Sequence, residues 1–237
     1  MSASHHYVML ISSLPYHGSL FGARRAPLSR IRLRQRQRLL DEKDGACLRA
    51  VANLLEWSRQ GMGRSDEDII ALAKAELPKL ENGFARDLVV WRLELRTVVA
   101  ALRRRHRGQA APPEHDGWGY GRWLAWIRRH WSEPQFRLER VYPWLADARS
   151  LLETGETLGL ERLLLNVVWE HLDSLEDSHF FDFEAVLIYS MRWDLVARWT
   201  VYNGGEAAVR FEEMVQEGLK DLGPEDLAGG SWTGAGP

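Results

Sequence analysis

One cysteine, Cys47, occurs in 237 residues. That excludes an internal disulfide and any zinc site built from cysteines, and it fits a reducing compartment. Long uninterrupted hydrophobic runs are also missing. The best candidate, FFDFEAVLIYSMRWDLVARWTVY at 180–202, carries Glu184, Arg192, Asp194 and Arg198 within it. Charges near mid-span each cost roughly 2.5–3.5 kcal/mol in a bilayer, which argues against a membrane-spanning reading. The start, MSASHHYVMLISSLP, has no cationic n-region and only a short apolar run, so no secretory signal is expected and the predicted location is cytoplasmic.

Motifs that carry chemistry are equally scarce. There is no Gly-x-Ser-x-Gly, Walker loop, His-Glu-x-x-His or Rossmann fingerprint. Glu176-Asp177-Ser178-His179 supplies a single Glu-x-x-His, whereas a carboxylate-bridged di-iron bundle needs two such motifs and two further glutamates. His5-His6 stands near a terminus with few partners. His171 falls on an apolar helical arc and reads as a hydrogen-bonded core histidine. Cys47, at a helix start with no histidine near it in sequence, reads as a small buried thiol. These absences lead to the expectation of a non-enzyme, with no catalytic residue, metal ligand or cofactor.

What the chain does have is helix. Asp182 can cap a helix that runs without glycine or proline to Asn203-Gly204-Gly205. Its apolar residues nearly encircle it, the mark of a helix buried among neighbours. Residues 158–177 form a second amphipathic helix, separated from the first by a short link, so an antiparallel hairpin is predicted. The clearest seam is at 83–107, where Phe84, Leu88, Trp91, Leu95, Val98 and Leu102 recur at alternating spacings of four and three. It ends in Arg103, Arg104, Arg105, His106 and Arg107, cations placed where the helix dipole favours them.

Further helices are expected from Asp44 as a cap through Trp57, from a capping-box-like Ser65 to Asp68 up to Pro78, at 122–131, at 144–154 and at 206–220. Ser29 opens SRIRLRQRQRLL, whose strict alternation fits a strand while its Arg, Gln and Leu content fits a helix; the composition decides for helix. The short run Tyr7 to Ile11 reads as a strand or buried extended segment, followed by a loop at 16–27.

The stretch GQAAPPEHDGWGYG at 108–121 is rich in glycine and proline and marks a lobe boundary. Charge changes sign there: residues 1–107 carry 20 Lys and Arg against 11 Asp and Glu, residues 108–237 carry 11 against 22. Either the two halves dock on each other, or each faces a different partner. Trp118, Trp123, Trp126, Trp131 and Trp144 are expected to fill the joint. The predicted architecture is all-α: eight to nine helices in two closely packed lobes, with a short extended N-terminal segment. The divisions are a basic lobe at 1–107, a linker at 108–121, an acidic Trp-rich lobe at 122–222 and a disordered tail at 223–237.

Several segments together resemble a small bacterial family encoded among the genes of V-type ATPases. They are YVMLISSLP, PLSRIRLRQRQRLLDEKD, NGFARDLVVWRLELRTVVAALRRRHRG, HWSEPQFRLERVYPWL and HFFDFEAVLIYSMRWDLVARW. The resemblance implies a counterpart of the C-type component of the central stalk, an all-helical socket between rotor shaft and membrane ring, though this chain is shorter. Implied partners are central-stalk subunits and the proteolipid ring, with the protein held at the inner face of the cell membrane through them. On that expectation Arg30, Arg32, Arg34, Arg36, Arg38, Arg103, Arg104, Arg105 and Arg107 form one contact surface, and Glu170, Asp173, Glu176 and Asp177 another. Two alternatives stand beside it. One is an assembly factor for the same complex. The other is a nucleic-acid-binding protein using the basic half, which the lack of aromatic residues between Ser29 and Leu40 disfavours.

Overall fold

The computed structural model describes residues 7–55, 66–113 and 117–201. The expected helix at 206–220, the tail, His5-His6, the Ser65 cap, Trp57 and the Asn203-Gly204-Gly205 stop lie outside them. Among the described residues there are nine α-helices and no strand. They are α1 (Val8–Ser12), α2 (Arg30–Gln37), α3 (Glu42–Leu55), α4 (Asp66–Glu76), α5 (Gly83–His106), α6 (Leu124–Arg129), α7 (Leu145–Glu153), α8 (Thr157–Glu176) and α9 (183–201). None of them is long and apolar enough to cross a membrane.

Local chemistry explains most helix starts. Ser29 is extended and its hydroxyl accepts the Arg32 amide at 3.3 Å. Asn82 Oδ1 accepts the Ala85 amide at 2.8 Å, and Asp182 Oδ1 accepts the Ala185 amide at 2.9 Å. Each satisfies an amide that the helix itself leaves without a partner. At α3 the cap is Asp41, which takes the Asp44 amide at 2.8 Å. Asp44 sits inside the first turn and accepts the Tyr7 hydroxyl at 2.7 Å. Pro78 ends α4, and the chain passes into a single 3₁₀ turn, Leu77–Lys79.

The expected extended N-terminal segment is corrected to the one-turn helix α1. A strand would alternate its burial, but here Tyr7 and Leu10 are buried while Met9 is 78% exposed, a spacing of three. The run is anchored from outside itself. The Tyr7 amide donates to the Phe181 carbonyl at 2.9 Å, and its ring reaches Asp44.

Helix α5, about 36 Å long at 1.5 Å per residue, threads two hydrophobic clusters. Its first half, Ala85 to Leu95, joins α1, α3, α4, α8 and α9 in the larger one. Its second half, Val98 to Leu102, joins Trp118, Ile127, Phe136, Leu145 and Leu160 in the other. The seam read from the sequence is therefore only part of the buried surface; Val89, Leu93, Thr97 and Ala101 are buried as well. Both clusters draw on residues from each side of 108–121. Trp118 is buried in the second cluster, with Trp123, Trp131 and Trp144 packed against it.

The stretch 117–121 lies packed on α5. Thr97 Oγ1 accepts the Tyr120 amide at 2.7 Å and lies 3.0 Å from its carbonyl. Buried Glu94 accepts the Arg122 amide at 3.1 Å. Helices α8 and α9 form the expected antiparallel hairpin: Arg192 meets Asp173 and Glu176 near its turn, and Arg198 meets Glu161 near its open end. Helix α5 runs antiparallel to α8, since Phe84 contacts His179 and Trp91 contacts His171.

Candidate interaction surfaces

Helix α2 is fastened to α9 by few contacts. Leu28, Leu33 and Trp193 make a small apolar cluster. The Trp193 Nε1–H donates to the Leu28 carbonyl at 2.8 Å, and the Gln37 amide donates to Ser190 Oγ at 2.9 Å. Leu33 is the one residue of α2 that is buried. Of the expected contact arginines, Arg30 lies 3.6 Å from Asp194 and 5.1 Å from the centroid of Trp193. Arg36 is half-buried, and Arg32, Arg34 and Arg38 are exposed. Two apolar side chains stand uncovered among them, Ile31 at 71% and Leu39 at 53% exposure.

The arginines at the end of α5 do not act together. Arg105 points into the 132–136 turn, where its guanidinium donates to the Glu133 carbonyl and, at 3.0 Å, to the Ser132 carbonyl. It also lies 5.8 Å from the centroid of the fully buried Phe136 ring. Phe136 and Arg137 hold left-handed backbone angles, φ 54° and 55°, so Arg105 braces a strained turn. Arg103, Arg104 and Arg107 line a groove of about 670 Å³, joined by Arg92 and Arg96 of α5 and Arg198 of α9. Among the described residues the lining also holds Glu161, bonded by Arg198. Burial, aided by the neighbouring Arg198 and Arg96, pushes the Arg92 guanidinium down to about 10. Burial likewise lowers Arg103.

The expected acidic surface lies near the far end of α8. Glu161 and Glu176 are fifteen residues apart, about 22 Å along the helix axis. Buried Arg192 of α9 bridges two of these acids, donating to Glu176 Oε2 at 2.5 Å and Asp173 Oδ1 at 2.7 Å, with its guanidinium 5.0 Å from the centroid of Trp169. Both acids remain more than half exposed, at 52% and 68% of their side chains. Glu170 accepts from Asn166 at 2.7 Å, and Asp177 is exposed at the C-cap.

His171 is half-buried at the edge of the core and not within it, stacked on Trp91 with ring centroids 3.6 Å apart and planes 15° apart. Burial, with Arg92 adding to it, holds it down at about 4. His17, which no pattern in the sequence singles out, is similar. Burial, with Arg192 adding to it, lowers it to about 4. It stacks on Tyr189 at 4.0 Å and lies 3.1 Å from the Tyr189 carbonyl.

One compact set of metal-type donors occurs among the described residues: His179, Asp182 and Glu184, whose ligand atoms lie within 4.8 Å of one another. The Glu-x-x-His motif pairs His179 with Glu176 upstream, but its hydrogen-bond partner is downstream, Asp182 Oδ2 at 2.8 Å. Asp182 Oδ1 caps α9 and Glu184 accepts from Asn82 at 2.9 Å, so both carboxylates already serve the fold. Cys47 is half-buried, and burial raises its thiol.

Comparison with protein-family profiles, curated proteins and solved structures found no match for this chain.

Proposed function

We propose that this chain is a non-catalytic helical component of a bacterial V-type ATPase, coupling the central stalk to the proteolipid ring. The observation that carries a partner-binding role is the outer face of α2, where Ile31 and Leu39 stand uncovered among exposed Arg32, Arg34 and Arg38. Covering an isoleucine or leucine completely contributes about 1.5–3 kcal/mol. Arginine is the cation enriched at protein interfaces, where its planar fork pairs with carboxylates. Between Ser29 and Leu40 the sequence has no aromatic residue on which a base could stack, which favours a protein partner over a nucleic acid. The specific partner rests on the resemblance of the quoted segments to proteins encoded with V-type ATPases. A coupling element needs two unlike contact surfaces, and α2 together with the acidic end of α8 supplies two of opposite sign.

The test is affinity purification of the tagged chain from its own host in mild detergent, with the co-purifying chains identified. Stalk subunits and proteolipid recovered in constant ratio with active enzyme support the coupling role. Recovery with incomplete subcomplexes alone would instead make the protein an assembly factor. Absence of every ATPase subunit from a preparation in which the ATPase is intact refutes the association. Arg32, Arg34 and Arg38 replaced together by Glu should reduce the recovery at least tenfold while leaving the far-UV circular dichroism unchanged, since a like-charge juxtaposition at an interface costs several kcal/mol.

A further inference from the structure

We infer that His17 is an acid-sensitive clasp: its neutral ring holds the strap 14–37, which carries α2, across α9, and a proton on the ring releases the strap. The clasp closes on Tyr189. The Tyr189 hydroxyl donates to the Pro15 carbonyl at 2.8 Å, and the His17 ring stacks on the phenol with centroids 4.0 Å apart. His17 Nε2–H donates to the Tyr189 carbonyl at 3.1 Å. Two residues of the strap thus grip one residue of α9 by its hydroxyl, its ring face and its backbone. Farther along, Trp193 and Ser190 hold Leu28 and Gln37.

This bonding fixes where a proton must go. A carbonyl only accepts, so Nε2 carries the hydrogen of the neutral ring and Nδ1 is left to protonate. Nδ1 is buried, and among the described residues it has no hydrogen-bond partner. A proton there creates a buried, charged donor without an acceptor. The closed strap cannot satisfy it, whereas water around an open strap can.

The charges around the ring act the same way. From α9 it meets Tyr189, whose phenol burial pushes up to about 12 and so keeps neutral, and Arg192. From α8 it meets Trp169 edge-on, with centroids 6.3 Å apart. The buried Arg192 guanidinium lies 5.0 Å from the centroid of that same indole, so a protonated His17 is a second cation beside one ring. Asp173 and Glu176 of α8 bond Arg192, but both are more than half exposed and water screens them. From α2, Arg36 adds positive charge near Tyr189.

Burial, with Arg192 adding to it, accordingly holds His17 at about 4, against about 6.5 in an open strap. Between those values the open strap binds the extra proton. Closure is therefore fully favoured above about pH 6.5 and weakens as pH falls toward 4. Buried Leu20 and Leu28 set a cost of opening that does not change with pH. His17 sets the part that does: the open fraction should rise about 20- to 30-fold between pH 7.5 and 5.0. His171 stacks on Trp91 of α5 and takes no part. The clasp works whatever partner α2 meets.

The test is hydrogen exchange on the full chain at pH 7.5 and 5.0, each amide rate being divided by that of an unstructured peptide at the same pH. Amides 33–37 of α2 should open more readily than those of the α5 core at both pH values, which marks a local event. Their protection should fall about 20- to 30-fold on acidification in the wild type and in His171→Gln. In His17→Gln, which keeps a donor for the Tyr189 carbonyl but has nothing to titrate, the fall should shrink below about threefold. A proton NMR titration of the wild-type chain, which needs no variant to fold, should show the His17 ring titrating well below its ordinary value. The clasp is overturned if the acid response of α2 survives in His17→Gln or disappears in His171→Gln. So it is if α2 and the α5 core exchange at one common rate, or if the His17 ring titrates near 6.5 in the folded chain.

Discussion

Replacing Gly121 with Ala probes how the Gly-rich stretch after residue 108 is held on α5. Gly121 has φ +97°, and an added Cβ would stand 2.8 Å from Glu94 Oε1 and 3.0 Å from its Cδ, closer still to Cγ. Two costs follow. The backbone conformation is one that L-residues disfavour by roughly 1–2 kcal/mol. Glu94, 4% exposed, must also move, and its bonds to the Arg122 amide and guanidinium loosen. A hydrogen bond to a charged group contributes about 1.5–3 kcal/mol.

The expected loss is therefore about 3–5 kcal/mol, a large part of the stability of an ordinary domain. Gly108 is the internal control, since φ is +73° there and an added Cβ would meet nothing within 4 Å; Gly108→Ala should cost the strain alone, about 1 kcal/mol. Urea unfolding followed by tryptophan fluorescence measures both, and the difference isolates the Glu94 contact. Equal losses in the two variants would refute the argument that Glu94 packing, and not backbone angle, makes position 121 intolerant.

Acid should destabilise the protein before its carboxylates titrate. His17 and His171 are both lowered to about 4, against about 6.5 unfolded, so between those values the unfolded chain binds more protons. Stability is then complete above about pH 6.5 and falls as pH drops toward 4, by on the order of 3 kcal/mol for the pair after allowing for solvent screening. Urea midpoints at pH 7.5, 5.5 and 4.5 measure it, and the His17→Gln, His171→Gln double variant should flatten the profile; an unchanged slope in that variant refutes the assignment. Trp193→Phe should remove the bond to the Leu28 carbonyl, at about 1–3 kcal/mol, and lower hydrogen-exchange protection across α2 while sparing α5. Uniform loss across the chain would mean that α2 is not a separately fastened element.

Helix existence was legible where short-range chemistry decides it. Ser29 and Asp182 announce their helices because a side-chain oxygen beside a free amide is a contact within three residues. The α8–α9 pair follows from two amphipathic stretches and a link too short to do anything but reverse. The same logic holds for α2, where helix propensity prevails over an alternating pattern because Arg32 and Arg34 face water and Leu33 alone is buried. It failed at Tyr7 to Ile11, where five apolar residues suit a strand or a helix equally, and the decision came from Phe181 and Asp44.

The candidate surfaces divide along the same line. By itself, the sequence determined an all-α chain, its strongly basic segments and the acidic end of α8, all properties of periodicity and composition. Which charges remain available was decided by tertiary structure. Arg105 is spent on the 132–136 turn, while its neighbours Arg103 and Arg104 line a groove with Arg198, ninety-four residues beyond Arg104. Asp173 and Glu176 are bridged by Arg192 from the facing helix. Neighbours on one helix turn point in directions about 100° apart, so a run of like charges in sequence is dispersed over different surroundings, and only packing brings distant ones together.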